Sequence, residues 1–321
     1  MALKQVIRIY DFLERPRIDI AGLKDIFLEA GLDPSEFETR KIRGEKGETQ
    51  FVKMRIRGKE GPSRKTRAPV LGIIGRLGGI GARPHKIGLV SDADGAITAL
   101  AAALKITEMR ARGDSLRGDV IVATHLSPRA PIIPHDPVPF MDSPVSIEVM
   151  NRHEVDVAMD AVLSVDTTKG NRVINYRGFA ISPTVKSGYI LRISEDLLDI
   201  MQAVTGKLPV VFPITIQDIT PYGNGVFHLN SIMQPATATD APVVGVALTA
   251  EVPIPGCATG VNQPLDIEIA VRFCVEVAKA FGERKCAFFD EKEFDTMISL
   301  YGSLERFKTG GKTRGRSAHK N

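Results

Sequence analysis

Lys86-Ile-Gly-Leu-Val-Ser-Asp-Ala-Asp-Gly95 runs without a break into an alanine- and leucine-rich stretch that ends near Arg112. The apolar run 87–90 stops at Ser91, Asp92, Ala93, Asp94 and Gly95, and a helix is expected over 96–112. Leu100, Leu104, Ile106 and Met109 recur at helical spacing, and Ala99, Ala101, Ala102 and Ala103 are small enough to let the helix lie close to a sheet. Carboxylates at the entry to such a helix stand where ligands and metals collect in open α/β sheets.

The flanking segments supply the sheet. Residues 70–74 and 118–124 are short continuous apolar runs, the pattern of strands buried on both faces. Further strands are expected over 157–165, 210–216 and 243–248, with helices over 194–204 and 265–281 and a helix start within 226–232. Ser194 is placed to cap the first of these helices. This alternation predicts a three-layer α/β sandwich with a mixed, mostly parallel central sheet. Between the first strand and the opening stretch lie Gly75, Gly78, Gly79 and Gly81, a tight turn lacking the Gly-Lys-Ser/Thr of a phosphate loop. After the strand at 118–124 come Pro128, Pro131, Pro134, Pro137, Pro139 and Pro144, an irregular loop carrying His135 and Asp136. Before the sandwich, residues 1–67 read as an extension of two helices, the second capped by Asp19, and one half-exposed strand over 49–57. The α/β domain is expected over 68–302 and a basic tail over 303–321.

With 43% hydrophobic and 25% charged residues, the 321-residue chain has the makings of a sizeable core. Much of its net charge of +4 lies in Arg306, Lys308, Lys312, Arg314, Arg316 and Lys320. No basic helix or aromatic platform accompanies them, so they read as a disordered, solvated tail rather than a nucleic-acid arm. Cys257, Cys274 and Cys286 are odd in number and lack metal-type spacing, so nothing requires an oxidising compartment. No signal-peptide pattern and no apolar run of about 18 residues is present, which makes a cytoplasmic, membrane-free protein the expectation.

Three strands end in polar residues: Asp92 beyond Val90, His125 beyond Thr124, Asp166 beyond Val165. In an open sheet such ends converge on one crevice. The run Asp92-Ala-Asp-Gly-Ala-Ile-Thr-Ala-Leu-Ala, followed by Gly118-Asp-Val-Ile-Val-Ala-Thr124, resembles the core of the co-catalytic zinc aminopeptidases. The likeness spans residues 69–281 and lies in order and spacing more than in identity; the whole chain also resembles the family known as domain of unknown function 1177. The resemblance implies a zinc-aminopeptidase-like fold. It makes Asp92 the match of the metal-bridging aspartate and Asp166 the match of a later aspartate ligand. It implies a divalent metal, zinc or manganese, and, because related peptidases often assemble, a homo-oligomer. The glutamate pair of those enzymes falls on Ser127 and Pro128, the last histidine on Asn262, and the first histidine on Arg76, so the zinc-pair ligands are incomplete.

Each candidate carries a second reading. Asp92 is a metal ligand, an arginine's partner or a helix cap, and Asp94 a catalytic acid or a cap. His125 is a general base or ligand, or a histidine bonded within its loop. Arg76 grips a substrate carboxylate, or pairs with Asp92 or Asp94. Asp166 is a metal ligand or the plain end of a strand, and Asn262 is a hydrogen-bonding contact for substrate. The expected function is that of a divergent member of the metallopeptidase-like fold. It would bind or transform a small peptide- or amide-like or acidic molecule in a cleft at the strand C-termini. The alternative is a metal-dependent amidohydrolase or peptidase using Asp92, Asp166 and His125.

Overall fold

The computed structural model describes every residue except 66–67, 77, 83–87, 221–224, 229–230 and 309–321. The basic tail beyond residue 308, the start of the 86–95 stretch and most of the loop around Tyr222 therefore lie outside the described residues. Helices α1 (Leu3–Glu14) and α2 (Ile20–Glu29) lead into a hairpin of β1 (Phe37–Gly44) and β2 (Gly47–Ile56). Then come β3 (Leu71–Gly75), α3 (Asp94–Ala111), β4 (Val120–Leu126) and the short pair β5 (Ile132–Ile133) and β6 (Phe140–Met141). Helix α4 (Ile147–Glu154) precedes β7 (Ala161–Lys169), β8 (Gly178–Ile181), β9 (Val185–Lys186) and β10 (Tyr189–Ile190). The chain closes with α5 (Glu195–Thr205), β11 (Val243–Ala250), α6 (Pro264–Gly282) and α7 (Glu291–Tyr301).

The sheet order is β1-β2-β4-β3-β7-β11-β9-β10, with β8 also paired to β11. Its centre, β4-β3-β7-β11, is parallel, and antiparallel strands flank it on both sides. Every residue of β3 and β4 is buried, as continuous apolar runs require between two covering layers. One face packs on α1, α3, α5 and α6 through Ile73, Val122, Leu163 and Val246; the other meets irregular chain through Ile74, Ile121, Val162 and Ala247, and α4 packs on Phe51 of β2 through Met150. The fold is thus an α/β sandwich on a mixed sheet. The leading residues join it directly: Val6, Ile9 and Leu13 of α1 enter the same core as α3, and β2 pairs with β4.

Helix α3 is buried on all sides from Asp94 to Leu104. A helix so enclosed needs small residues at its closest approaches. A Cβ on Gly95 would stand 2.7 Å from the carbonyl oxygen of Val165 and 2.8 Å from that of Arg76. The first turn of α3 therefore lies directly on the ends of β3 and β7. Among the expected elements, Ser194 caps α5 by accepting from the Leu197 amide, and Asp19 caps α2. The segment expected as a strand over 210–216 makes only a bridge, Val211 to Ile181. The helix start expected within 226–232 falls partly on undescribed residues; a 3-10 turn, Gln234–Thr237, follows it. Two helices are not expected from the sequence: α7, and α4, which begins just after the proline-rich stretch ends at Pro144.

Candidate functional site

The sheet register aligns three of the expected residues. Gly75 of β3 pairs with Thr124 of β4 and Val165 of β7, so Arg76, His125 and Asp166 form the next row. The Arg76 amide donates to Val165 O at 2.7 Å, which continues the ladder to that row. Residues level with one another on parallel strands project to the same side, here the side covered by α4. Asp92 comes from above the strand ends, in a 3-10 turn, Ser91–Ala93, that leads into α3. Residues 256–259 hold this turn in place: Ser91 N donates to Ala258 O at 2.8 Å, Asp92 N to Gly256 O at 3.1 Å, and Val90 bridges Thr259. Glycine is required at 256, because a Cβ there would lie 2.6 Å from Asp92 Oδ2.

A cleft of ≈ 1440 Å³ opens over these strand ends. Asp92 and Asp166 reach it, together with Lys169, Asn151, His228 and Gly256, and His135 to Val138 of the proline-rich segment form part of its wall. Both carboxylates are pushed up from the usual range, Asp92 to about 8 and Asp166 to about 7. For Asp92 burial is the main cause, reinforced by repulsion from Asp166 and Asp94. For Asp166 burial again leads; the Thr167 amide and the Arg76 guanidinium oppose it.

The remaining candidates turn away from the cleft. Arg76, 2% exposed, pairs with neither Asp92 nor Asp94. Its Nε lies 2.8 Å from Glu154 Oε2 and its Nη2 donates to Asn151 Oδ1. The Glu154 contact is an ion pair rather than an aligned hydrogen bond, since neither atom has a hydrogen-bond partner among the described residues. The reason for the changed partner is α4, which enters beneath the strand row and delivers both Asn151 and Glu154. His125 lies within β4 rather than in a loop; its Nδ1 meets the other oxygen of Glu154, and its ring packs on Phe51 with centroids 5.7 Å apart.

Asp94 is the first residue of α3 and makes no capping hydrogen bond; Asp92 caps nothing either. The Asp94 carboxylate instead accepts from Lys169 Nζ at 2.5 Å and from Asn262 Nδ2 at 2.6 Å. Burial raises Asp94, and these two contacts oppose it. Asn262 also donates to Val90 O at 2.9 Å, so it ties the turn to the 256–263 segment. Ser127 is buried and donates to Thr49 Oγ1 at 2.7 Å.

Glu154, Asn151 and Lys169 were not among the sequence candidates. A signal existed for the first two: Ser146 as a cap, then Ile147, Met150 and Glu154 at helical spacing, in a run only eight residues long directly after the proline-rich loop. Lys169, a lone cation three residues past Asp166 on the same strand, gave little warning.

Among the described residues no group of three or more His, Cys, Asp or Glu side chains is arranged to hold a metal ion. A zinc pair asks for about four ligands per ion. Here the carboxylates beyond Asp92 and Asp166 are taken by an ammonium and a guanidinium, so the described residues do not fit a two-zinc centre. Among the described residues, no helix is long and apolar enough to cross a membrane.

Fold and site define an α/β protein with a mixed sheet and a carboxylate-floored cleft at the ends of its parallel strands. The chain belongs to the family described as protein of unknown function (DUF1177), whose model matches residues 40–311. No curated protein matches it. Among solved structures it is similar to the LapA aminopeptidase of Legionella pneumophila, at 12% identity over 90% of this chain and 71% of that one, with a TM-score of 0.46. A second LapA structure from Legionella matches at 11% identity over 86% and 71% of the two chains, with a TM-score of 0.47.

Proposed function

We propose that the chain binds a small peptide- or amide-like molecule in this cleft, with a cationic or hydrogen-bond-donating end against Asp92 and Asp166. One observation carries the reading. The two carboxylates are buried at the floor of a large cleft, Asp166 raises the protonation of Asp92, and the nearest cations are already committed to Glu154 and Asp94. Once ionised, the floor has negative charge that these cations do not take up, and the group that meets it best is a ligand ammonium or amide N–H. An acidic portion of the ligand would face the rim, where Arg43, Lys46 and Lys308 lie.

The test is calorimetric titration of the full chain with dipeptides, amino-acid amides and their N-acylated forms. We expect the free amines to bind, and Asp92→Asn and Asp166→Asn to weaken them by about 1.5–3 kcal/mol each, the worth of a hydrogen bond to a charged group. Absence of binding across the panel, or binding by both variants as tight as by the native chain, overturns the reading. Affinity for a cationic end should rise between about pH 6 and about pH 9, roughly the interval over which both carboxylates ionise.

A second reading is favoured by the same two groups. Carboxyls shifted to about 8 and about 7 are poised for general acid and base work near neutrality. Amide hydrolysis would then rest on Asp92 and Asp166, with His125, directed at Glu154, in a positioning role. Release of product from the binding amides, lost in both asparagine variants, is the observation that would support it.

A further inference from the structure

The geometry points to a cleft floor whose charge is organised by two side-chain cations, Arg76 and Lys169, in place of divalent metal ions. Each cation pairs with one carboxylate behind the floor and favours the charged form of one carboxylate in the cleft. Arg76 stands level with Asp166 on the neighbouring strand and draws that carboxyl downward, while its Nε faces Glu154 at 2.8 Å. Lys169 acts on Asp92 in the same sense, while its Nζ holds Asp94 at 2.5 Å. Both cations are nearly inaccessible, with side chains 2% and 7% exposed.

The arrangement supplies positive charge and excludes ions at the same time. A divalent ion resting on Asp92 and Asp166 needs further oxygen or nitrogen ligands. The carboxylates that act on this pair from behind are Asp94 and Glu154. To recruit Asp94, an ion must part it from Lys169 and from Asn262, which donates to it at 2.6 Å, and must then sit beside a buried ammonium of like charge. To recruit Glu154, it must break contacts to both Arg76 and His125. A guanidinium remains charged in proteins, so this half of the exclusion does not relax with pH.

The experiment measures metal, not ligand, so its failure and that of the binding reading are separable. The full chain, purified without chelator, is assayed for bound metals, and its melting temperature is followed with EDTA, zinc and manganese. We expect far less than one ion per chain and no shift with any addition. A stoichiometric ion, or a fall in melting temperature with EDTA, overturns the proposal. Lys169→Met removes the ammonium that stands against an ion beside Asp92 and Asp94, and should bring what the native chain lacks, a manganese-dependent rise in melting temperature. A folded Lys169→Met chain indifferent to manganese overturns the role given to Lys169. Should that variant not fold, Lys169→Arg, which keeps the charge, must remain indifferent to metal; a response to manganese in it overturns the proposal.

Discussion

Two clusters of charge flank the cleft floor, and they are built differently. Behind Asp166, Arg76 and His125 converge on Glu154, which is completely buried at the end of α4. Behind Asp92, Lys169 and Asn262 converge on Asp94 at the start of α3. In the first, a planar guanidinium spreads its contacts over Glu154 and Asn151 through two nitrogens. In the second, a point-charge ammonium and a neutral amide share one carboxylate. Arginine can serve two partners in fixed directions; lysine cannot. The first cluster therefore ties α4 to the sheet, and the second ties the start of α3 to the end of β7 and to the loop at Asn262. The difference teaches that equal burial need not mean equal dependence on ionic pairing.

The largest effect should come from breaking the arginine cluster. Glu154→Ala leaves Arg76 charged and buried without its carboxylate, and such a loss typically costs about 3–5 kcal/mol. Urea unfolding of Glu154→Ala, Arg76→Met and the double variant should show the double to be less destabilised than the sum of the singles. Additive losses would mean that Arg76 and Glu154 do not act as a pair.

Lys169→Met should cost less, roughly 1–3 kcal/mol. Asp94 is already raised by burial and keeps the hydrogen bond from Asn262, so it takes up a proton rather than remaining a bare charge. Its loss should shrink in acid. If Lys169→Met proves as harmful as Glu154→Ala, and equally so at every pH, the contrast between the clusters fails.

The sequence reveals the scaffold more readily than it reveals these partnerships. Buried parallel strands show as apolar runs, because both faces must exclude water, and β3, β4 and β11 were legible for that reason. Asp92 and Asp166 were legible because carboxylates at the ends of such runs must face something polar. The partners were not. Arg76 reads equally well as a ligand clamp or an ion-pair member, and the choice depends on α4, a helix of 8 residues too short to stand out after the proline-rich loop. Asp94 carries the look of a helix cap, yet its carboxylate turns to Lys169, 75 residues away. Local sequence specifies a turn; it does not specify which distant cation that turn will meet.

The cleft carboxylates offer a third test, in which pH is the variable. Asp92 and Asp166 bind protons more tightly in the folded chain than when unfolded, so the folded state holds the extra protons. Stability from this source is full below the ordinary carboxylate range and declines as pH rises through about 7 and about 8. Each group contributes a slope approaching about 1.4 kcal/mol per pH unit within that window. Asp92→Asn should flatten part of the decline and be more stable than the native chain at the alkaline end. A native profile that instead rises with pH would place the unpaired charge elsewhere, and the two clusters would no longer frame the site.

The smallest effect should come from the same helix that carries the largest. Glu148 of α4 pairs with Arg152 at 3.9 Å, with both side chains about two-thirds exposed. Exposed pairs of this spacing are worth roughly 0.3–0.5 kcal/mol, because water screens the charges and two long side chains must be ordered to meet. Glu148→Ala should therefore change unfolding by no more than about 0.5 kcal/mol, and the change should fade in high salt. Six residues separate Glu148 from Glu154, and both are glutamates paired to an arginine. What divides them is that α4 turns one toward water and the other toward Arg76 and His125. If Glu148→Ala and Glu154→Ala were equally costly, the damage would come from weakening α4 itself rather than from stranding a buried cation, and the case for the arginine cluster would have to be made on Arg76 alone.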